Sequence, residues 1–249
     1  EDFRKGYDLW QKEQYAEALP WLRKAAAQGR ANGMFYLGVA CDHGRGTPLD
    51  KTAAFGWFKK AAEQGNAVAQ FNCGNMCFKG EGTAQDKTAA FGWYKKAAEQ
   101  GHATAQFACG SMLDNGEGVP QDKAAAFGWY QKAAEQGDPD AQFWCGSMYN
   151  AGEGVPQDKA AAFGWYKKAA ERGDAVAQLK CGDMCYNGEG TGEDKAVAFG
   201  WYQKAAEQGS MIARFRCGAM LDSGDGVAVD KAAAFGWYQK AAEQGSATA

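Results

Sequence analysis

Apolar positions in this chain recur at helical spacing, and the whole pattern recurs every 36 residues. From Asp86, the residues Ala90, Phe91, Trp93, Tyr94, Ala97 and Ala98 fall three and four apart, which predicts a helix (the B helix). Asp86 is placed to cap its start and Gly101 to close its end. A second helix (the A helix) is predicted over roughly Ala103 to Asn115, with Ala105, Cys109, Met112 and Leu113 on one side. Gly116 and Gly118 then form a tight turn, and Val119-Pro120 leads to the next cap, Asp122. Period-two alternation is absent, so no strands are expected.

The segment Asp86 to Gln121 returns from Asp122 to Gln157, with degenerate copies from Gln14, Asp50, Asp158 and Asp194 and a partial one from Asp230. Trp21, Trp57, Trp93, Trp129, Trp165, Trp201 and Trp237 mark the period and are expected to lie buried between repeats. A period of this length means stacked helix pairs, each too small to bury a core alone. The expected organisation is one solenoid domain over 1–249. An extra N-terminal capping helix covers 1–13 and the repeats cover 14–245. Ser246 to Ala249 resembles the opening of another A helix, which implies either a truncated repeat or an end that contacts something.

Composition narrows the partner class. Net charge is −3 with the signs mixed through each copy, so neither nucleic acid nor an anionic membrane is an expected partner. No apolar run is long enough to span a membrane. The chain starts at Glu1, consistent with removal of a preceding segment.

The eight cysteines fall in two registers. Cys73, Cys109, Cys145, Cys181 and Cys217 share one, which Leu37 fills in the first copy. Cys41, Cys77 and Cys185 share another, filled elsewhere by Leu113, Tyr149 and Leu221. Exchange with Leu and Tyr marks core positions, so free buried thiols are expected. Two isolated histidines, His43 and His102, make neither a metal site nor a nucleophile–base–acid set. The paired glycines lack the Gly-Lys-Ser/Thr element of a phosphate loop. No enzyme activity, cofactor or metal is expected.

The repeat resembles the Sel-one-like repeat (SLR) family, relatives of tetratricopeptide repeats. The residues carrying the likeness in one copy are Gly110, Leu113, Gly116, Gly118, Val119, Asp122, Ala126, Trp129, Lys132, Ala133, Ala134 and Gly137. The resemblance implies an all-α, right-handed superhelical solenoid of antiparallel helix pairs, serving as a scaffold for protein partners. One cysteine-rich branch of the family staples each B helix to the next A helix; here those positions are Ala62 and Gln70, and Ala98 and Gln106, so the staple is absent. The family habit points to a periplasmic or exported protein, whereas free thiols point to the cytoplasm.

Differences between copies gather at four A-helix positions. Row one reads Asn32, Val68, Thr104, Asp140, Val176, Ile212; row two reads Tyr36, Asn72, Ala108, Trp144, Lys180, Arg216. Row three reads Val39, Asn75, Ser111, Ser147, Asp183, Ala219; row four reads His43, Lys79, Asn115, Ala151, Asn187, Ser223. Phe78 and Tyr186 adjoin them. These positions share one helix face. A core could not exchange Ala for Trp or Lys, so the face is expected to meet solvent. By resemblance it lines a concave groove that takes a protein or peptide. The expected contact residues are Tyr36, Val39, Asn72, Asn75, Phe78, Lys79, Trp144, Ser147, Lys180, Asp183, Tyr186 and Arg216. Drift on an exposed surface is the alternative, against which stands the persistence of Lys96, Lys132, Lys168 and Lys204 on the B helices. An immunity or inhibitor protein for a toxin or hydrolase is the specific version. A structural spacer that self-associates through its C-terminal end, or a small-molecule binder or hydrolase, are the rival classes.

Overall fold

The structure, a computed structural model, describes residues 1–244; the expected start of a truncated repeat at 246–249 lies outside them. Among the described residues every regular element is an α-helix. The A-type helices are α1 (Asp2–Gln11), α3 (Ala31–His43), α5 (Ala67–Lys79), α7 (Ala103–Asn115), α9 (Pro139–Ala151), α11 (Ala175–Asn187) and α13 (Met211–Ser223). The B-type helices are α2 (Tyr15–Ala27), α4 (Lys51–Glu63), α6 (Lys87–Glu99), α8 (Lys123–Glu135), α10 (Lys159–Glu171), α12 (Lys195–Glu207) and α14 (Lys231–Gln244). The chain divides into two compact units, Glu1–Trp129 and Tyr130–Ala249. Each is described by itself.

The same local chemistry recurs at most helix boundaries from α4 onward. Asp86 accepts a hydrogen bond from the N–H of Ala89 at 2.9 Å, and Asp50, Asp122, Asp158, Asp194 and Asp230 do likewise at their own B helices. From α3 onward the A helices end at a left-handed glycine; at Gly80 (φ 76°) the N–H groups of Gly80 and Glu81 both reach the carbonyl of Met76. Two residues on, Gly82 also has positive φ, and a Cβ there would run into the backbone of Lys51. That turn tolerates glycine alone.

The core differs from expectation in one respect. In most copies the residue after the period tryptophan is the more deeply buried of the two: Phe58, Tyr94, Tyr166 and Tyr202 are at most 5% exposed, while Tyr238 on α14 is half-buried. Each ring lies on an A-helix glycine. A Cβ on Gly74 would come within 2.5 Å of the Tyr94 ring, and Gly38, Gly146 and Gly182 seat Phe58, Tyr166 and Tyr202 in the same way. The tryptophans are mostly half-buried, Trp201 at 9% exposure being the exception. A lysine three residues on covers the outer face of the ring, with Nζ to centroid distances of 4.5 Å at Trp93, 3.8 Å at Trp165 and 4.4 Å at Trp201. These lysines persist because they shield tryptophan, so their persistence is no measure of how fast a bare surface drifts.

Seven of the eight cysteines are buried, Cys41 is half-buried, and all are free. Burial pushes the thiols of Cys73, Cys109, Cys145, Cys181 and Cys217 up to about 12, so they pack as small apolar groups. Where the cysteine-rich branch would place its staple, an amide takes over. Buried Gln70 donates to the carbonyl of Ala62 at 3.0 Å and accepts from Gln100 at 2.7 Å, which ties α4, α5 and the end of α6 together.

Candidate partner-binding face

The A-helix face is built upward from the seated aromatic rings. In the N-terminal unit the Tyr94 hydroxyl donates to Asn75 at 2.7 Å. In the C-terminal unit Tyr202 donates to Asp183 at 2.8 Å, and Tyr166 lies close to the Ser147 hydroxyl. Burial raises the pKa of all three phenols, and at Tyr202 the Asp183 carboxylate adds to it. Val39, the apolar member of this row in the N-terminal unit, shares its core cluster with Phe58, which has no hydroxyl to satisfy. Row three is therefore half-buried floor and not open surface. Its polar identities answer to the tyrosines beneath: Val39, Asn75, Ser147 and Asp183 support the face from below.

Other expected contact residues are also engaged within the chain. Tyr36 sits in an aromatic cluster with Phe3, Tyr7 and Trp10, its centroid 5.3–6.0 Å from theirs. The Lys87 ammonium stands 5.1 Å from the Phe78 ring centroid. Tyr186 donates to Asp225 at 2.6 Å, and Lys195 approaches the same carboxylate at 2.8 Å while lying 5.2 Å from the Tyr186 ring. Asp225 has its pKa lowered first by Lys195 and then by Tyr186, so its charge is answered locally. This Tyr186–Asp225–Lys195 network escapes a reading of the sequence because its members lie on three elements; in hindsight the signal is Tyr186 replacing the Asp or Asn of other copies.

What stays open is rows one and four and, beyond Tyr36, row two. Asn72 is half-exposed; Lys79 is exposed, 4.0 Å from Glu81. Trp144 on α9 is 39% exposed, stacked on Tyr130 at 6.1 Å with an interplanar angle of 12° and edge-on to Phe143. Lys180 on α11 and Arg216 on α13 hold the equivalent positions, and both are exposed. Arg216 Nε lies 4.0 Å from Asp183, so α11 and α13 are neighbours on this face.

A separate feature lies at α13 and α14. Met211, Ile212, Phe215, Phe235 and Tyr238 line an apolar cleft of about 650 Å³, with Phe215 57% and Phe235 69% exposed. Among the described residues no group of three or more His, Cys, Asp or Glu could hold a metal ion, and no helix is long and apolar enough to cross a membrane.

With this geometry in place, comparison with known proteins identifies the family. The Sel1 repeat matches residues 2–29, 31–66, 67–102, 103–138, 139–174, 175–210 and 212–246, so the chain belongs to the Sel1 repeat family. That phasing pairs α1 with α2 as the first repeat. Among solved structures, the chain is similar to c5321, a protective antigen present in uropathogenic Escherichia coli strains and displaying an SLR fold. Identity is 38% and the TM-score 0.92, over 98% of this chain and 53% of that one. The chain thus spans about half the length of that antigen. It is also similar to a Sel1 repeat protein from Oxalobacter formigenes, at 33% identity and TM-score 0.78, over 96% of both chains. Comparison with curated proteins gives no match.

Proposed function

We propose that this protein is a non-catalytic scaffold that holds a protein or peptide segment on the A-helix face of its repeats. The observation that carries the reading is Trp144. Its indole stands 39% exposed on a platform formed by Tyr130 and Phe143, whereas the tryptophans of the repeat period are packed under lysines. A rigid, amphipathic ring presented in this way is what binding hot spots use. The test is Trp144→Ala, with partner affinity measured by calorimetry and folding by thermal melting. Loss of the part-buried ring and its stack should lower stability by ~1–3 kcal/mol, less than loss of a floor tyrosine. Partner binding should weaken by ~2 kcal/mol or more. A variant that binds its partner as tightly as the parent chain would remove the basis of the reading.

A second reading, a self-associating assembly protein, is favoured by the apolar cleft of Met211, Ile212, Phe215 and Phe235. Sedimentation of the intact chain and of Phe235→Glu separates the two. An oligomer dissolved by the substitution supports assembly; a monomer in both cases leaves the scaffold. The narrower immunity or inhibitor reading has no residue of this chain in its favour.

A further inference from the structure

Resting on the scaffold reading, the geometry points to a partner segment of definite chemistry: an extended, polyproline-like stretch carrying one large apolar residue and acidic residues three and six positions from it. The argument starts from charge. Among the described residues no carboxylate lies within ion-pair reach of the exposed Lys180. Arg216 offers only its Nε, at 4.0 Å, to Asp183, whose Oδ1 already accepts from Tyr202. The outer nitrogens of its guanidinium make no ion pair. Asp225 is closed by Lys195 and Tyr186, and the exposed Asp140 of row one lies on α9, four residues before Trp144 and two A helices from Arg216. The second row of the C-terminal unit therefore presents, in order, an open indole and two under-compensated cations. The complement is an apolar side chain followed by two carboxylates, and the exposed guanidinium is shaped to take one of them as a fork.

Spacing sets the backbone. Trp144, Lys180 and Arg216 hold one register on A helices that follow each other in the array; α11 and α13 meet through the Arg216–Asp183 pair, and helices that meet stand about 8–10 Å apart. A polyproline II segment advances about 3.1 Å per residue with three residues per turn, so every third side chain returns to one face after about 9 Å. A β-strand covers the same distance but points its third side chain the opposite way. A helix laid along the row meets the spacing only at seven residues, about 10.5 Å. The polyproline-like backbone matches both distance and direction.

The test selects a display library of random 12-residue peptides on the intact chain, with counter-selection against Trp144→Ala. Enriched peptides should carry the apolar residue with Asp or Glu at three and six positions, in one polarity, and proline between. For such a peptide, Lys180→Gln and Arg216→Gln should each weaken binding about three- to five-fold, the worth of a partly exposed ion pair. Replacing its acids by Gln should do the same, and raising salt from 0.05 to 0.5 M should erase most of the acidic advantage. Trp144→Ala should cost at least ten-fold whatever the charge. Enrichment of peptides that need Trp144 but lack spaced acids, or that space them seven apart, overturns this inference and leaves the scaffold. A library yielding no binder that depends on Trp144 overturns both.

Discussion

The two units share a frame and differ in what they place on it. In the N-terminal unit row two reads Tyr36, Asn72, Ala108, and Tyr36 is closed in among Phe3, Tyr7 and Trp10. In the C-terminal unit the same row reads Trp144, Lys180, Arg216, all exposed. Beneath both lie the same seats, Tyr94 on Gly74 in one and Tyr166 on Gly146 in the other. Stability is therefore invested in a constant floor, while the residues above can vary at little cost to folding. That separation is what a binding scaffold needs.

The strongest challenge to the comparison is to remove the floor. Tyr94→Ala and Tyr166→Ala should each cost ~3–5 kcal/mol, read from denaturant midpoints. Trp165→Ala, at a half-buried ring, should cost less, ~1–3 kcal/mol. A tryptophan substitution costing more than either tyrosine would reverse the assignment of the core.

One copy within the C-terminal unit lacks a buried contact that its neighbours make. Gln70 accepts from Gln100, and Gln178 from Gln208. At the equivalent place Gln142 faces Arg172, which turns away to the carbonyl of Gly137 at 2.7 Å. The buried Oε1 of Gln142 is left without a partner. Arg172→Gln should supply the missing amide donor and raise stability by ~1 kcal/mol. A lower melting temperature for this variant would show that the Arg172–Gly137 bond outweighs the gap.

A smaller gain is expected at the glycines inside the B helices. A Cβ on Gly92 or Gly164 meets nothing within 4 Å, so close packing does not require them. Gly92→Ala and Gly164→Ala should each stabilise by up to ~1 kcal/mol, equally in the two units. A loss in either would show that the B helix does not accept a side chain at this position.

The smallest effect is a pH dependence confined to the N-terminal unit. His102 caps α7 by accepting from the N–H of Ala105 at 3.2 Å, and its ring stacks on Phe71 at 4.9 Å. Burial lowers its pKa below the ordinary 6.5. The folded state thus binds this proton less readily than the unfolded chain. The contribution is complete above pH 6.5 and is lost as pH falls through the lowered folded value. Melting temperature should drop in that window, and His102→Asn, which installs the Asn66-type cap, should flatten the drop. At the equivalent caps of the C-terminal unit stand Asp138, Asp174 and Ser210, none of them an imidazole. An unchanged slope in the variant would assign the acid sensitivity elsewhere.

Much of this frame is legible in the sequence because its determinants are local. The Asp caps, closing glycines and helical spacing lie within single copies, so helix starts and ends follow directly. Row three is not legible. An exchange among Asn, Ser and Asp reads as open surface, yet Asn75 and Asp183 each meet a tyrosine hydroxyl 19 residues away. Adjacent aromatics are equally ambiguous. Trp93 and Tyr94 occupy neighbouring faces of one helix, and only packing decides that tyrosine goes deep while tryptophan stays at the rim under Lys96. Trp144 is legible because it breaks the period, although its platform on Tyr130 is not.

The glycine seats carry an evolutionary consequence. Gly38, Gly74, Gly146, Gly182 and Gly218 each receive the ring that follows 20 residues later within the same repeat. Unequal crossing-over that inserts or deletes a whole 36-residue cassette therefore carries each seat along with its occupant. Partial exchanges would strand a ring on the wrong backbone and be purged. Whole-cassette exchange instead reorders the residues on top, much as moving type reorders letters. A lineage could in this way bring a tryptophan cassette nearer to, or further from, its lysine and arginine neighbours, and so re-space the exposed row without redesigning a single helix.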